Sequence, residues 1–384
     1  MPTTPLKNTL YRAALPFCAP RCGINPVTET FGHSVRYIHS FAHNIRKHHV
    51  LGSATYLYSR SHNALIFTSS HKPAHTASPD TFFRVASITK SVTSVLTMKL
   101  SDLNILDLCR PVSEYFTSEP EQSSLKGITL KHLLSHTSGI IDPPNLENAV
   151  ENRIPFTSVL LSSRRENPGV SFHYSNLGYG LIGSIMEQIL GLSVSTVFDH
   201  YIFEPLKMKS TLEGCRIPPD KIMPVTRILP YHKNNEVILT KLGSVRLSEP
   251  DPLHHYGHTA GSMYTDIDSL SIFFHMLSSN DSRFISSVSL EDMKSEHASY
   301  GNLSPSLSYG LGLLRINDPY ISDHTVFGHQ GFAYGCVDGA FWDDTTGDML
   351  ITLNGGCSEA RKGRLGYSNR DMLHWAFRKE LPSW

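Results

Sequence analysis

The 384-residue chain carries no net charge: 34 lysines and arginines balance 34 aspartates and glutamates. That removes the basic footprint of a nucleic-acid binder and of a protein held on an anionic membrane surface, so neither partner is expected. No apolar run approaches the roughly 18 residues needed to span a bilayer, so no membrane segment is expected. Cysteine is sparse, six in all, and scattered at 18, 22, 109, 215, 336 and 357, which excludes a disulfide scaffold and favours free thiols. Internal repeats and low-complexity tracts are absent. Metal signatures such as His-Glu-x-x-His are missing too. The histidines of His254-His255-Tyr256-Gly257-His258 read as loop residues, and neither a metal nor another cofactor is expected. The first 24 residues lack the apolar core of a secretory signal. Lys7, Arg12 and Arg21, with no acid before Glu29, give them a transit-peptide flavour, but prolines at 2, 5, 16 and 20 oppose an amphipathic helix. Residues 1–24 are therefore expected to be a poorly ordered extension, and the protein cytoplasmic rather than mitochondrial.

What is present suits a large globular protein. Forty per cent of the residues are hydrophobic, enough for a sizeable core. Val27 to Arg46 reads as a helix with Phe31, Val35, Ile38, Phe41 and Ile45 on its apolar side. Ser53–Ser59 and Ala64–Ser69 read as a β-hairpin. A helix beginning near Ser87 places Ile88, Val92, Val95, Leu96 and Leu103 on one face. Helical signals then dominate: Thr129 caps a segment stopped by Gly139, another ends on Gly191, Ser193 caps a third, and Thr265 caps Ile267–Leu277. A helix is also expected from Ser289 to about His297. Gly178, Gly180 and Gly183 predict a close neighbour against their helix. Residues 216–260, rich in Pro, Gly and His, read as the rim of a cleft. The last eighty residues turn β-like at Tyr309–Ile316, Val326–Gly331, Gly335–Trp342 and Met349–Asn354, before a terminal helix from Ser368 to Glu380. The predicted fold is α+β, an antiparallel sheet flanked by helices with an inserted mainly helical domain. The expected bounds are 25–105 plus 285–384 for the sheet domain and 106–284 for the helical one, with the site in the cleft between them.

The chemistry is concentrated in four places. Ser87 and Lys90, three residues apart at a helix start, share one face, which sets a hydroxyl beside an amine and beside the free N–H groups of a helix N-terminus. Alone this pair reads first as a Ser cap followed by a solvated Lys. Tyr174-Ser175-Asn176 follows a Pro-Gly turn and precedes a helix; a Tyr hydroxyl near an ammonium can serve as a phenolate-like base, and an Asn amide can hold a substrate carbonyl. In Gly328-His329-Gln330-Gly331, Gly331 would let a substrate backbone lie along a strand edge. The backbone N–H groups of Ser87 and Phe332 could together form an oxyanion hole.

This ordered set resembles the serine β-lactamase and penicillin-binding-protein superfamily, whose motifs are Ser-x-x-Lys, Tyr-x-Asn and Lys-Thr-Gly or a His-x-Gly variant. It is most similar to the branch of class C β-lactamases, D-aminopeptidases, esterases and fungal transesterases. The framing stretches are PDTFFRVASITKSV, ITLKHLLSHTSGI, NPGVSFHYSNLGYGLIGSIME, IFEPLKM, YGLGL and GHQGFAYG. The resemblance implies Ser87 as nucleophile, Lys90 and Tyr174 as shared base and acid, Asn176, His329 and Gly331 as substrate contacts, and Ser87 and Phe332 as oxyanion donors. Lysine gives way to His329 in the third motif, which removes a fixed positive charge and points away from β-lactams toward esters, thioesters or amides. Asn104 and Lys207 stand where the family commonly has glycines and read as local turn changes. The expected function is an intracellular acyl hydrolase or acyltransferase working through acyl-Ser87 on a small-molecule substrate, including a carrier- or CoA-bound thioester, in natural-product biosynthesis. A D-amino-acid peptidase or β-lactamase is the alternative, and a non-catalytic scaffold the second.

Overall fold

The segments 336–343 and 349–354 are buried at nearly every position, the pattern of strands covered on both faces, and they sit at the centre of a nine-stranded sheet. The structure, a computed structural model, describes residues 5–18, 26–30, 35–59, 62–69, 75–116, 123, 125–229 and 236–378. The sheet strands in chain order are β1 (Pro26–Thr30), β2 (Ser53–Ser59), β3 (His62–Thr68), β4 (Ala298–Ser299), β5 (Leu307–Tyr309), β6 (Leu314–Ile316), β7 (Val326–Ala333), β8 (Cys336–Asp343) and β9 (Met349–Asn354). Their spatial order is β1-β3-β2-β9-β8-β7-β6-β5-β4, antiparallel throughout. N-terminal and C-terminal strands thus join at β2 and β9, where Ser53 faces Asn354.

The helices used below are α1 (Pro5–Cys18), α2 (Val35–Lys47), α3 (Thr89–Asp102), α4 (Leu130–Leu134), α5 (Leu146–Glu151), α6 (Asn176–Leu190), α7 (His258–Gly261), α8 (Ile267–Ser278) and α9 (Tyr367–Phe377). Strand alternation divides the apolar side chains between two cores. Ala340, Trp342, Ile351 and Leu353 face a large core with α3 and α8, whereas Val337, Phe341 and Leu350 face Phe41 and Ile45 of α2 and Leu373 and Trp375 of α9. Trp375 fixes the second layer by donating Nε1–H to the Ser40 hydroxyl at 2.9 Å.

Several sequence expectations shift. Residues 5–18 form α1 instead of an irregular extension: Pro5 occupies its first position, where proline costs least, and Pro16 falls only in its last turn. Asn8 and Tyr11 bond to the backbone at 359–361, and Leu15 packs on Leu51 and Ile228. The front of the expected Val27–Arg46 helix is strand β1, whose Val27, Thr28 and Thr30 suit an edge position beside β3; Phe31 lies outside the described residues. α3 is buried on all sides rather than on one face, and Leu103, expected inside, is its exposed C-cap. Asp266, not Thr265, caps α8 by accepting the Ser269 N–H at 2.7 Å. α4 ends at Leu134, before Gly139, because His136 takes a left-handed conformation. The helix expected from Ser289 runs Ser287–Lys294 behind Ser286. The Thr129, Ser193 and Gly191 caps fall where expected.

Candidate active site

A sharp turn presents Ser87. Val85 bonds to Met263, Ala86 takes φ +45°, and Ser87 sits in a short 3-10 turn (Ala86–Ile88) that runs into α3. A left-handed alanine costs roughly 1–2 kcal/mol, so the surrounding contacts impose it. Thr89 supplies one, donating its hydroxyl to Ala86 O at 2.6 Å. As the second residue of the turn, Ser87 has a backbone N–H with no partner inside it.

Lys90, one turn later, is fully buried. Its Nζ lies 3.2 Å from Ser87 Oγ, 2.8 Å from Asn176 Oδ1 and 2.6 Å from Ala260 O. Burial lowers its pKa to about 7; Asp142 pulls it back upward and Arg84 pushes it further down. Glycine packing sets this arrangement. A Cβ on Gly180 would meet Tyr256 O at 1.6 Å, and one on Gly183 would meet Thr259 at 2.7 Å. Only a bare α6 lets α7 approach closely enough for the Ala260 carbonyl to reach Lys90. The close neighbour that the glycines predicted is therefore part of the site.

Tyr174-Ser175-Asn176 closes the opposite side. Ser175 caps α6 by accepting Gly178 N–H at 2.9 Å. Asp142 then gathers the segment, accepting from Ser175 Oγ at 2.6 Å, Asn176 N at 2.7 Å and Leu177 N at 3.1 Å. Because Lys90 donates, the Asn176 amide turns its oxygen inward and leaves its NH2 for the cleft. The Tyr174 ring lies 4.8 Å from Lys90 Nζ and 4.2 Å from the ring of His136. The phenolate-like tyrosine anticipated from sequence is not what the surroundings favour: burial pushes the Tyr174 pKa up, with the Ser87 hydroxyl pulling the other way, so it stays a phenol.

On the strand side, β6 pairs with β7 only at residues 326–328, so among the described residues the edge from His329 onward faces the Ser87 turn without a strand between. Gly331 does not line the cleft. Its absent Cβ would lie 2.4 Å from Val85 O, so it lets the strand pack against the turn that carries Ser87. His329 is also engaged inward. Its Nδ1–H donates to Gln330 O at 2.7 Å and its Nε2 accepts from the Tyr309 hydroxyl at 2.9 Å. Burial, with Lys90 beside it, lowers its pKa to about 3, so the ring is neutral and keeps no free nitrogen for substrate.

The cleft has a volume of about 720 Å³ and is lined by Ser87, Tyr174 and Asn176 together with Arg84, Arg361 and Tyr334 among others. Asp142, His136 and Ala260 escape a reading of the sequence. Each acts through a bond to a residue 33 or more positions away, Ser175 for Asp142, Ser175 N–H for His136 Nδ1 and Lys90 for Ala260, and no local pattern encodes such a partner. The three short side-chain motifs were visible because each is contiguous.

Comparison with known proteins shows the family and the fold. Protein flp of Staphylococcus aureus (strain MW2) is 32% identical over 142 residues, 35% of this chain and 28% of that protein, so the match spans well under two thirds of the relative. The structure of EstCE1, a hydrolase with promiscuous acyltransferase activity, superposes with a TM-score of 0.69 at 18% identity over 88% of this chain and 97% of that one. The D-amino acid amidase of Ochrobactrum anthropi SV3 superposes with a TM-score of 0.68 at 21% identity, over 88% and 96%. At such identities these structures share the fold. Residues 48–342 match the Beta-lactamase family, and on that match across most of its length the chain belongs to this family of serine-hydrolase fold.

Proposed function

We propose that the protein is a serine acyl hydrolase or acyltransferase that forms an acyl-Ser87 intermediate from an ester or thioester. The observation that carries this reading is the valence of Lys90. Two of its three neighbours, Asn176 Oδ1 and Ala260 O, can only accept, so two N–H groups are committed to them. The remaining position faces Ser87 Oγ. In the ammonium it holds a third N–H; in the amine it holds the lone pair, to which Ser87 O–H donates. A pKa of about 7 populates both forms at neutral pH.

Acylation follows. Lys90 takes the Ser87 proton while Oγ bonds to the acyl carbon, and the oxyanion meets the N–H groups of Ser87 and Phe332. The bond to the leaving group breaks, Tyr174 gives that group its phenolic proton, and the Lys90 ammonium restores Tyr174. Deacylation reverses the path with water or an alcohol as acceptor, whose proton returns through Tyr174 and Lys90 to Ser87 Oγ. A neutral, internally bonded His329 supports ester over β-lactam substrates.

A fluorophosphonate probe and a p-nitrophenyl ester test the reading. Wild type is expected to label stoichiometrically and to release p-nitrophenol, and Ser87→Ala to do neither. Labelling that survives in Ser87→Ala removes the nucleophile assignment, and D-alanine amide turnover exceeding ester turnover removes the ester preference.

A further inference from the structure

Helix α1 has two faces, and the protein covers one of them. Asn8, Tyr11 and Leu15, spaced by three and four, point inward. Asn8 Oδ1 accepts Arg361 N–H at 2.9 Å and its Nδ2 donates to Arg361 O at 2.8 Å. The Tyr11 hydroxyl accepts Glu359 N–H at 3.2 Å, and Leu15 packs on Leu51 and Ile228. Leu6, Leu10, Ala13 and Phe17, spaced by four, three and four, form the opposite face, and all four are exposed. Leu6 is 70% exposed, Leu10 61% and Phe17 89%, the last being the highest value for a large apolar side chain among the described residues. Single exposed apolar residues are ordinary on a protein surface; a continuous stripe along one helix marks an interaction surface.

Charge says what covers it. The zero net charge of the whole chain conceals a local imbalance: Lys7, Arg12 and Arg21 have no acid before Glu29. Lys7 and Arg12 are exposed and flank the stripe, one on each side. Arg12 is steadied there by the Tyr367 ring, 4.4 Å from its guanidinium. A second copy fits poorly, because joining two stripes would run Lys7 and Arg12 of both along one seam with no acid on either helix to offset them. An apolar stripe between cations suits the boundary of an anionic bilayer, where acyl chains take the stripe and headgroup phosphates take the cations. At 14 residues α1 is too short to cross a bilayer, so it would lie along the surface.

We propose that α1 docks the protein on an anionic lipid surface, with Leu6, Leu10 and Phe17 inserted and Lys7 and Arg12 at the headgroups. The inference is independent of the acyl-Ser87 reading. Its consequence for the cleft comes from the inward face of α1. Arg361, whose backbone Asn8 holds, lines the cleft, as does Arg227 next to Ile228. The helix that meets the lipid is thus fastened to the wall of the cleft.

Co-sedimentation of the full chain with vesicles tests this. Binding to phosphatidylcholine vesicles containing about a third phosphatidylserine should exceed binding to phosphatidylcholine alone by at least about tenfold, and should weaken as salt is raised. The triple variant Leu6→Ser/Leu10→Ser/Phe17→Ser should lose most of this binding while unfolding at the wild-type temperature, since the three side chains support nothing inside the protein. Lys7→Gln/Arg12→Gln should remove the preference for phosphatidylserine. A readout that does not depend on these losses is Phe17→Trp, whose added fluorescence should be quenched by lipid brominated in the acyl chains. Absence of sedimentation, equal binding to both vesicles, binding unchanged in the triple variant, or an unquenched Phe17→Trp each overturns the proposal. Self-association of wild type that the triple variant abolishes, without vesicle binding, overturns it in favour of a second copy.

Discussion

Lys90 and Asp371 are both ionisable groups taken out of water, and they resolve that burial in opposite ways. Asp371, where α9 meets α2, would be raised by burial, but His48 Nε2 at 2.9 Å and Lys47 Nζ at 2.7 Å overcome this and hold its pKa at about 2. Lys90 has three polar neighbours and no carboxylate among them, so desolvation wins and its pKa falls to about 7. The first group is locked in one protonation state across the physiological range, which serves structure. The second is poised to change state, as a group that transfers protons must be. The nearest acid, Asp142, is committed to the start of α6 and acts on Lys90 only at a distance.

Replacing each group should break the comparison in a different place. Lys90→Met is expected to lower kcat/KM on p-nitrophenyl esters by roughly 10³–10⁴, the usual cost of losing a coupled base. It should also alter stability with pH in a defined sense. The native lysine gives up its proton near 7 and the unfolded one near 10.5, so native protein binds fewer protons between those values. Wild type should therefore gain stability over Lys90→Met as pH rises from 7 toward 10, and the difference should be level below 7, measured by denaturant unfolding. If wild type instead loses stability relative to Lys90→Met with rising pH, or shows no change, Lys90 is not the neutralised group.

The next effect is on rate. On the acyl-Ser87 reading the amine is the active base, so kcat/KM should fall about tenfold per pH unit below a pKa of about 7. A limb placed near 10.5 would mean that burial does not lower Lys90.

Asp371→Asn should leave that rate profile in place and cost about 2 kcal/mol at neutral pH, the worth of its depressed pKa. The depressed group stabilises above the unfolded value of about 4 and loses that contribution as pH falls through about 2. Acid titration of unfolding should accordingly be shallower in the variant.

The smallest effect concerns backbone strain away from both groups. Lys207 has φ +55°, and Lys207→Gly should stabilise by about 1 kcal/mol with unchanged ester turnover. Asn104, at φ +57°, should gain less because asparagine tolerates that region better.

Much of this was legible in the chain. The hairpin at 53–68, the strand at 349–354 and the caps Thr129 and Ser193 follow from alternation and local side-chain bonding. The turn at Asn104 and Lys207 was anticipated from the glycines they replace. Strand β1 was misread because a threonine-rich run of five residues owes its state to β3, to which it is hydrogen-bonded. The left-handed Ala86 left no trace in sequence, since alanine has no preference for that region, and Gly331 was given a role toward substrate that belongs to packing against Val85.

The sequence by itself determined which groups could do chemistry: a serine and a lysine one helical turn apart, a tyrosine with an asparagine two residues on, and a strand with glycine at its edge. Tertiary structure decided what those groups became. Ala260 and Asn176 commit two of the Lys90 hydrogens, burial brings its pKa to about 7, and the same burial keeps Tyr174 a phenol. α1 sets Arg361 beside Phe332 from 353 residues away. The physical reason is common to all of them: protonation state and charge balance depend on which atoms replace water around a group, and those atoms come from distant parts of the chain.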